Sequence, residues 1–186
     1  MTNLTRQSSR RRIFLTGEPG TGKTTVLRKT AELLETRGLK VGGMASKEIR
    51  GIGSRTGFSV ENLATHEHGC LAEVGSRVGP HVGKYTVNLH DLETVGVAAI
   101  QTAIQAADVV LIDELGPMEL HSQRFVESVV DALNSQKHVL GTIHKHANHP
   151  LVMKVRSNLD SVILEVTSKN RDELPDKILA AIVPSR

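Results

Sequence analysis

A glycine-rich segment between an apolar run and a helical pattern sharply limits the folds open to this chain. Residues 17–25 read Gly-Glu-Pro-Gly-Thr-Gly-Lys-Thr-Thr and match the pattern G-x-x-x-x-G-K-[ST]. The preceding run Arg12–Leu15 predicts a buried strand, and the apolar spacing over Lys23–Arg37 predicts a helix that ends at Gly38. A strand, a glycine-rich loop and a helix in that order are typical of a P-loop, which holds phosphate groups.

Each residue type in this loop has a chemical reason to be there. Glycines allow the backbone to wrap closely around phosphate oxygens, and the free N–H groups at a helix start favour anions. Lys23 is expected to act in catalysis by reaching the β- and γ-phosphates of a nucleoside triphosphate, and Thr24 to ligate Mg²⁺, the expected cofactor. The predicted nucleotide-binding residues of the loop are Gly17, Glu18, Pro19, Gly20, Thr21, Gly22, Lys23, Thr24 and Thr25.

A second candidate segment is an aliphatic run that ends in two acids. Residues 109–112 predict a central strand, and a carboxylate at the end of such a strand lies at the ligand-binding edge of an α/β sheet. Asp113 is the expected Mg²⁺ ligand, and Glu114 is expected to orient or deprotonate a water that attacks the γ-phosphorus. An acid directly after the Mg²⁺ aspartate favours hydrolysis over transfer to another acceptor.

The order of predicted elements indicates an α/β fold of the P-loop NTPase class. Strands that alternate with helices predict a RecA-like, mainly parallel sheet with helices on both faces. Residues 45–85 differ, because short β-like pieces alternate there with glycines, and they predict a small antiparallel β extension. We expect a single domain over residues 12–186, after a disordered basic tail over residues 1–11.

The composition of the chain limits the classes of partner that we expect it to bind. Residues 1–12 contain four arginines and no acid, so a basic tail can contact nucleic acid or a membrane surface, although a solvated tail is the favoured interpretation. Aromatic residues make up 2% of the chain, which removes the stacking platforms of a single-stranded nucleic-acid binder. One cysteine excludes an internal disulfide, and no apolar run has the length of a membrane span. We therefore expect a cytosolic monomer with a nucleoside triphosphate as its partner and no membrane association.

Motifs distributed along the whole chain extend the argument. They are Gly-x-Pro-Gly-x-Gly-Lys-Thr-Thr (17–25), Val-Gly-Gly (41–43), Arg-x-Gly-Phe (55–58), Val-Gly-Lys-Tyr (82–85), Asp-Glu-Leu-Gly-Pro-Met-Glu-Leu (113–120), Gly-Thr-Ile-His (141–144) and Asn-Arg-Asp-Glu-Leu-Pro (170–175). This set resembles the thermophile-type nucleoside-triphosphatase family, to which the cancer-related nucleoside-triphosphatase belongs. The resemblance covers Arg12 to Val183 in order and with similar spacing.

The resemblance implies a slow, Mg²⁺-dependent hydrolysis of nucleoside triphosphates, ATP and GTP among them, to the diphosphate and phosphate, with broad base tolerance. It also implies that Gly17–Thr24 and a stretch following the aliphatic run contact the nucleotide. The residues of that second stretch are Val109, Val110, Leu111, Ile112, Asp113, Glu114, Leu115 and Gly116. Two positions depart from the family pattern: Pro117 and Lys145 stand where many members have Lys and Arg, respectively.

A lysine in place of an arginine loses the bidentate guanidinium fork, so another cation is expected near the γ-phosphate. The candidate phosphate contacts in the extension are Arg50, Arg55, Arg77 and Lys84, each of which can equally be a surface residue. At the end of the strand His138–Ile143, Thr142 or His144 can lie beside the γ-phosphate. Asn170 and Arg171 are candidate base contacts, and Asn170 is equally a candidate helix N-cap.

Two alternatives to hydrolysis stay open. A P-loop kinase would use the extension to bind a small-molecule or nucleic-acid acceptor of the γ-phosphate. A nucleotide-gated adaptor would use hydrolysis only to reset its contact with a partner. The sequence does not distinguish the preferred base.

Overall fold

The apolar runs of the sequence form a nine-stranded mixed β-sheet in the computed structural model, which describes residues 10–76 and 78–183. The strands are β1 (Arg12–Thr16), β2 (Val41–Arg50), β3 (Arg55–Asn62), β4 (His68–Val74), β5 (His81–Val82), β6 (Tyr85–Val87), β7 (Val109–Leu115), β8 (His138–Ile143) and β9 (Ser161–Glu165). The helices are α1 (Lys23–Thr36), α2 (Leu89–Asp91), α3 (Ala98–Ala106), α4 (Gln123–Asn134), α5 (Pro150–Ser157) and α6 (Leu174–Ile182). A π-helical stretch, Leu92–Val97, joins α2 to α3, and a short 3₁₀ turn, Glu119–His121, follows β7.

The strands lie in the order β5-β6-β4-β3-β2-β7-β8-β1-β9. Five of them, from β2 to β9 in that order, pair in parallel. The other four continue the sheet beyond β2 with antiparallel pairing. Strand β8 lies between β1 and β7, as in a RecA-like sheet. The predicted α/β class, the parallel sheet and the antiparallel extension are therefore confirmed.

Helices cover both faces of the parallel strands because successive side chains of a strand point to opposite faces. Val110 and Ile112 belong to the hydrophobic cluster under α3, α4 and α5. Val109 and Leu111 belong to the opposite cluster, under α1 and α6. This double burial holds β7 rigidly at the centre of the sheet, so that the residues at its carboxyl end have fixed positions.

The boundaries of several elements differ from the sequence-based expectation. Strand β2 continues past Met44 because its second half, Met44–Arg50, pairs with β3, so the extension grows out of a core strand. Helix α5 was not predicted, although Pro150 in its first turn and a His149 cap were legible signals. The last helix begins at Leu174, because residues 168–173 form turns.

The predicted basic tail lies mostly outside the described part of the chain, which begins at residue 10. Arg10 and Arg11 contact the domain: Arg10 donates to the Ser135 carbonyl, and the Arg11 backbone N–H donates to His138 Nδ1. Among the described residues, no helix combines the length and the apolar character needed to cross a bilayer.

Candidate active site

The loop between β1 and α1 is shaped by its glycines. A Cβ at Gly17 would lie 2.6 Å from the Val166 carbonyl oxygen, so only glycine allows the loop to turn this close to the end of β9. Gly22 caps α1 with a φ of 98°, and the cap has no side-chain hydrogen bond and no acid in the first helical turn. The first N–H groups of a 14-residue helix are thus free to face an anion.

Lys23, at the first position of α1, lies folded over the loop. Its Nζ donates to the carbonyl oxygens of Gly17 at 3.1 Å and Glu18 at 3.4 Å. The Lys23 charge also lowers the pKa values of Asp113 and Glu114, against the effect of their burial. The loop therefore brings a cation close to both acids that the sequence singled out.

Asp113 is buried, at 1% exposure, near the carboxyl end of β7. The Thr142 hydroxyl, on the neighbouring strand β8, donates a 2.6 Å hydrogen bond to its Oδ1. The other oxygen, Oδ2, is buried and has no hydrogen-bond partner among the described residues. Burial raises the Asp113 pKa, and the hydrogen bond from Thr142, the nearby Thr24 hydroxyl and the charges of Arg28 and Lys23 oppose that rise.

Glu114 follows in the same strand and is partly buried. Its Oε1 is also enclosed without a hydrogen-bond partner in the described residues. Burial raises its pKa to about 7, the Lys23 charge opposes this, and the Asp113 charge adds to it. A carboxyl group that exchanges its proton near neutral pH has the acidity of a general base for water.

Glu119 is a third acid in this region, which sequence analysis did not single out. It is 4% exposed, and burial together with the charges of Glu114 and Asp113 raises its pKa to about 8. A Cβ built on Gly116 would lie 2.9 Å from Glu119 Oε2 and 3.2 Å from Glu114 Oε2, so both acids flank the same glycine. The signal available in the sequence was a third acidic residue in the segment 113–120, which also contains Asp113 and Glu114.

A cleft of about 760 Å³ joins these groups to the antiparallel extension. One side of it consists of Lys23, Thr24 and neighbouring loop residues, with Asp113 and Glu114 at its floor. The facing wall comes from β2, β3, β4 and the β5–β6 turn. The volume lies within the range of pockets for small molecules and cofactors.

The four candidate cations of the extension differ in their position relative to the cleft. Arg50 and Arg55 line the cleft, and both pair with Glu48, Arg50 at 2.7 Å. Lys84 does not line it; its Nζ lies 5.4 Å from the centre of the Tyr85 ring. Arg77 lies outside the described residues.

Arg28 is a cation of the cleft that sequence analysis missed. It lies one helical turn after Thr24 on α1, lines the cleft and pairs loosely with Glu61 of β3 at 3.8 Å. Its Nε is buried without a hydrogen-bond partner among the described residues, and its charge lowers the pKa of Asp113. The i, i+4 spacing from Thr24 on a predicted helix was the available signal.

The end of β8 supplies three residues with different roles. Thr142 is fully buried and its hydroxyl is engaged by Asp113, so it does not face the cleft. His144 does line the cleft, and burial lowers its pKa, with the charges of Lys23 and His146 adding to this. Lys145 donates to Glu18 at 2.7 Å and to Glu165 at 3.4 Å, and so ties the phosphate loop to the end of β9.

The residues expected to contact the base lie beside a smaller opening of about 280 Å³. Arg171 lines it together with Gly22, Thr25 and Lys29. Asn170 does not line it: its Oδ1 accepts from the Thr167 N–H at 2.8 Å and its amide donates to the Glu165 carbonyl. Asn170 therefore closes the turn before α6, and the N-cap of that helix is Glu173.

The stretch around Asp113 is mostly structural support. Four aliphatic residues that precede it and one that follows Glu114 are at most 1% exposed, and none lines the cleft: Val109, Val110, Leu111, Ile112 and Leu115. Gly116 is likewise buried, between the Glu114 and Glu119 side chains. The aliphatic side chains pack in the core on the two faces of the sheet and support Asp113 and Glu114, and a nucleotide contact of this stretch stays a prediction.

The donor set at the end of β7 fits a Mg²⁺ ion. Asp113 Oδ2 is a buried anionic oxygen with no partner in the described ranges, and the Thr24 hydroxyl belongs to the same side of the cleft. Mg²⁺ prefers oxygen ligands and is commonly held by one or two protein groups plus substrate phosphates and waters. No cluster of three or more His, Cys, Asp or Glu side chains suited to a metal is found in residues 10–76 and 78–183.

Comparison with known proteins agrees with this geometry. The sequence model of the NTPase family matches residues 12–179. The nucleoside-triphosphatase THEP1 of Methanosarcina acetivorans is 50% identical over 168 residues, which cover 90% of this chain and 94% of that protein. The protein of the same name from Thermofilum pendens is 49% identical over 170 residues, or 91% of this chain and 93% of that protein.

A solved structure supports the same assignment. The solution structure of a human cancer-related nucleoside triphosphatase superposes with a TM-score of 0.79 at 35% identity, and it covers 95% of this chain and 99% of that one. The predicted resemblance is thus confirmed over nearly the full length. By its sequence and by its fold, the chain belongs to the NTPase family.

Proposed function

We propose that this protein hydrolyses nucleoside triphosphates in a Mg²⁺-dependent reaction, with Glu114 as the base that prepares the attacking water. The observation that carries the proposal is the pair of buried carboxylate oxygens without partners in the described residues, Asp113 Oδ2 and Glu114 Oε1, beside the Lys23 loop. One oxygen is suited to a metal and the other to a water. Two adjacent acids with separate tasks are what water-mediated attack on a phosphate requires.

The general activity follows from the family. The chain is a member of the NTPase family, and relatives that are 49% and 50% identical are named nucleoside-triphosphatases. This protein is accordingly a hydrolase that acts on nucleoside triphosphates. What remains to propose is the metal and the task of each residue.

The loop residues bind and orient the substrate. The free N–H groups at the start of α1 face the phosphate oxygens, and Lys23 exchanges its contacts with the Gly17 and Glu18 carbonyls for the β- and γ-phosphates. Thr24 and Asp113 would hold Mg²⁺, which, when bound, neutralises charge that develops on the phosphate oxygens. Thr142 keeps the Asp113 carboxylate oriented through Oδ1 and leaves Oδ2 as the oxygen for the metal.

Glu114 takes a proton of the water as the water oxygen attacks the γ-phosphorus. The bond from that phosphorus to the β–γ bridging oxygen breaks, so that the nucleoside diphosphate leaves and inorganic phosphate forms. A pKa of about 7 allows the carboxylate to accept a proton at neutral pH and release it afterwards. Arg28, which lines the cleft one helical turn after Thr24, is the candidate cation for the charge on the γ-phosphate. Arg50 and Arg55 line the extension wall of the same cleft, and their contact with a phosphate stays a prediction. His144 faces the same region as a largely neutral imidazole, because its pKa is lowered.

The nucleoside is placed toward the smaller opening. Gly22 and Thr25 line both openings, so a phosphate chain in the loop leads directly to Arg171. The Arg171 guanidinium can stack on any base, because every base has a flat face. This arrangement accounts for tolerance of different bases without a residue dedicated to reading their edges.

The test is phosphate release from ATP, GTP, CTP and UTP with Mg²⁺ or with EDTA, by the wild type and by Glu114→Gln. The variant should bind each nucleotide as before and lose turnover by about two or more orders of magnitude. Glu32→Gln, an exposed substitution on α1, is the matched control and should behave as wild type. Wild-type turnover in Glu114→Gln would remove Glu114 from the base role, and full activity in EDTA would remove Mg²⁺.

Several sequence-based expectations accompany this proposal. We propose one domain over residues 12–186, supported by the continuous sheet from β1 to β9. A cytosolic monomer without nucleic-acid contacts outside the basic tail remains a prediction.

A further inference from the structure

We propose that the extension wall of the cleft is a second binding subsite, which takes a nucleoside monophosphate while the P-loop holds the triphosphate. We call it the extension subsite and define it by Arg50, Arg55, Phe58 and Tyr85, all of which line the cleft. The inference rests on the proposed function, because that function seats the triphosphate in the loop with its nucleoside toward Arg171.

The first argument is the placement of aromatic side chains. The chain has three Phe, one Tyr and no Trp. Phe14 and Phe125 are fully buried in the core, so Phe58 and Tyr85 are the two that reach a surface, and both line the cleft. Their ring centres lie 5.2 Å apart at an interplanar angle of 72°. In a chain this poor in aromatics, two rings at one wall of one cleft indicate a surface for a flat ligand.

The second argument is a cation stacked on that pair. The Arg55 guanidinium carbon lies 5.2 Å from the centre of the Phe58 ring. A guanidinium that rests on an aromatic face leaves its opposite flat face available, and nucleobases stack on such planes as well as on aromatic rings. The subsite therefore offers flat surfaces in more than one orientation.

The third argument is unbalanced positive charge. Glu48 is paired with both Arg50 and Arg55, so two guanidinium groups share one carboxylate. Arg55 Nε is buried without a hydrogen-bond partner among the described residues. A phosphate can supply both the missing negative charge and the missing acceptor, and arginine recognises phosphate through paired N–H donors.

The fourth argument is position. The four subsite residues line the large cleft only, whereas Gly22 and Thr25 line both openings. A triphosphate in the loop that extends toward Arg171 leaves the extension wall uncovered. A ring on Phe58 and Tyr85 together with a phosphate on Arg50 and Arg55 describes one ligand with a base and a short phosphate group, which is a nucleoside monophosphate.

The experiment is calorimetric titration of the full chain with AMP, GMP, CMP and UMP, in the presence of Mg²⁺ and a saturating non-hydrolysable triphosphate analogue. The filled P-loop restricts the titration to a second site. We expect saturable binding of one mononucleotide per chain, with free nucleoside and inorganic phosphate each binding at least about tenfold more weakly. Equal affinity for inorganic phosphate alone would overturn the base-stacking part of the proposal.

Phe58→Leu removes the ring while it keeps an apolar side chain, and Tyr85→Leu does the same at the other position. Each should weaken mononucleotide binding about tenfold and leave affinity for the triphosphate analogue unchanged. Arg55→Gln should reduce the preference for mononucleotide over free nucleoside. Ile52→Ala, at the fully exposed tip of the β2–β3 hairpin, is the matched control.

Two results would overturn the subsite. One is the absence of a saturable second event up to about 1 mM mononucleotide. The other is mononucleotide binding that the triphosphate analogue displaces fully, which would place it in the P-loop. Binding of the analogue and phosphate release, measured on the same samples, report on the proposed hydrolysis separately.

Discussion

The Thr142 hydroxyl donates a 2.6 Å hydrogen bond to Asp113 Oδ1, and this bond joins the ends of the two central strands β7 and β8. It occupies one oxygen of the buried carboxylate and leaves Oδ2 without a partner in the described residues. When a hydrogen bond holds one oxygen of a carboxylate, the other oxygen points toward a metal in a fixed direction. Thr142 is thus a positioning residue for the proposed Mg²⁺ site.

Thr142→Val tests this bond, because valine keeps the shape of the side chain and removes the donor. We expect about a tenfold higher Mg²⁺ concentration for half-maximal phosphate release, the usual scale for the loss of an outer partner of a metal ligand. Thr142→Ser retains the hydroxyl and should stay near wild type. An unchanged Mg²⁺ dependence in a folded Thr142→Val protein would contradict the positioning role.

The pH dependence of turnover should follow the Glu114 carboxyl. Its pKa of about 7 means that the basic form increases about tenfold between pH 6 and pH 8, and turnover at saturating nucleotide should rise with it. The measurement is kcat against pH for the wild type and Glu114→Gln. The rise should vanish in the variant, and a similar rise in both proteins would assign the titration to another group.

The pH dependence of stability should reflect Glu119. Its folded pKa of about 8 lies above the ordinary 4.5, so the folded state holds a proton that the unfolded state has released. Stability contributed by this group is therefore present below about pH 4.5 and is lost as the pH rises to about 8. Glu119→Gln should gain roughly 4 kcal/mol over wild type between pH 5 and pH 9.

Urea unfolding of both proteins in EDTA measures this difference without a bound metal. Gln has the size of protonated Glu, so the two proteins should have similar stability near pH 5. A constant offset between them across the pH range would show that Glu119 does not titrate in this interval. Glu127→Gln, an exposed change on α4, is the control for loss of a surface charge.

Lys145 offers a test of charge balance beside the phosphates. Its contacts with Glu18 and Glu165 offset the acid that the loop itself carries. Lys145→Met should raise KM for nucleotide several-fold at low salt, because Glu18 then repels the phosphates, and the effect should shrink at high salt. Adding Glu18→Gln should restore KM, and a double variant as impaired as the single one would exclude this explanation.

The phosphate loop and the two acids could be predicted because their signals are local. Gly17–Thr25 contains its strand exit, its glycines and its helix start within one continuous segment, and β7 places Asp113 and Glu114 directly after four aliphatic residues. The partners of these residues come from distant parts of the chain. Arg28 meets the extension at Glu61, and Thr142 of β8 donates to Asp113 of β7, through contacts that no spacing in the sequence encodes.

The antiparallel extension likewise has features that the local sequence predicted and features that depend on the tertiary structure. Alternating glycines and short apolar pieces predicted its antiparallel strands, since turn residues and period-two patterns act over a few residues. Which of its cations face the cleft could not be predicted: Arg50 and Arg55, on strands β2 and β3, line it, whereas Lys84, in the turn between β5 and β6, rests over Tyr85. The side chain of a strand residue points to one face or the other, and a shift of one residue reverses that choice.

The sequence alone determined the P-loop, the α/β class, the family and the identity of the two central acids, because these depend on short-range geometry and on residue order. Only the tertiary structure decided the state of those acids. The burial of Asp113, the proton affinity of Glu114 and Glu119, and the pairing of Arg50 and Arg55 with Glu48 arise from desolvation and from charges on separate strands. Such effects act through space, and they exist only after the sheet has assembled.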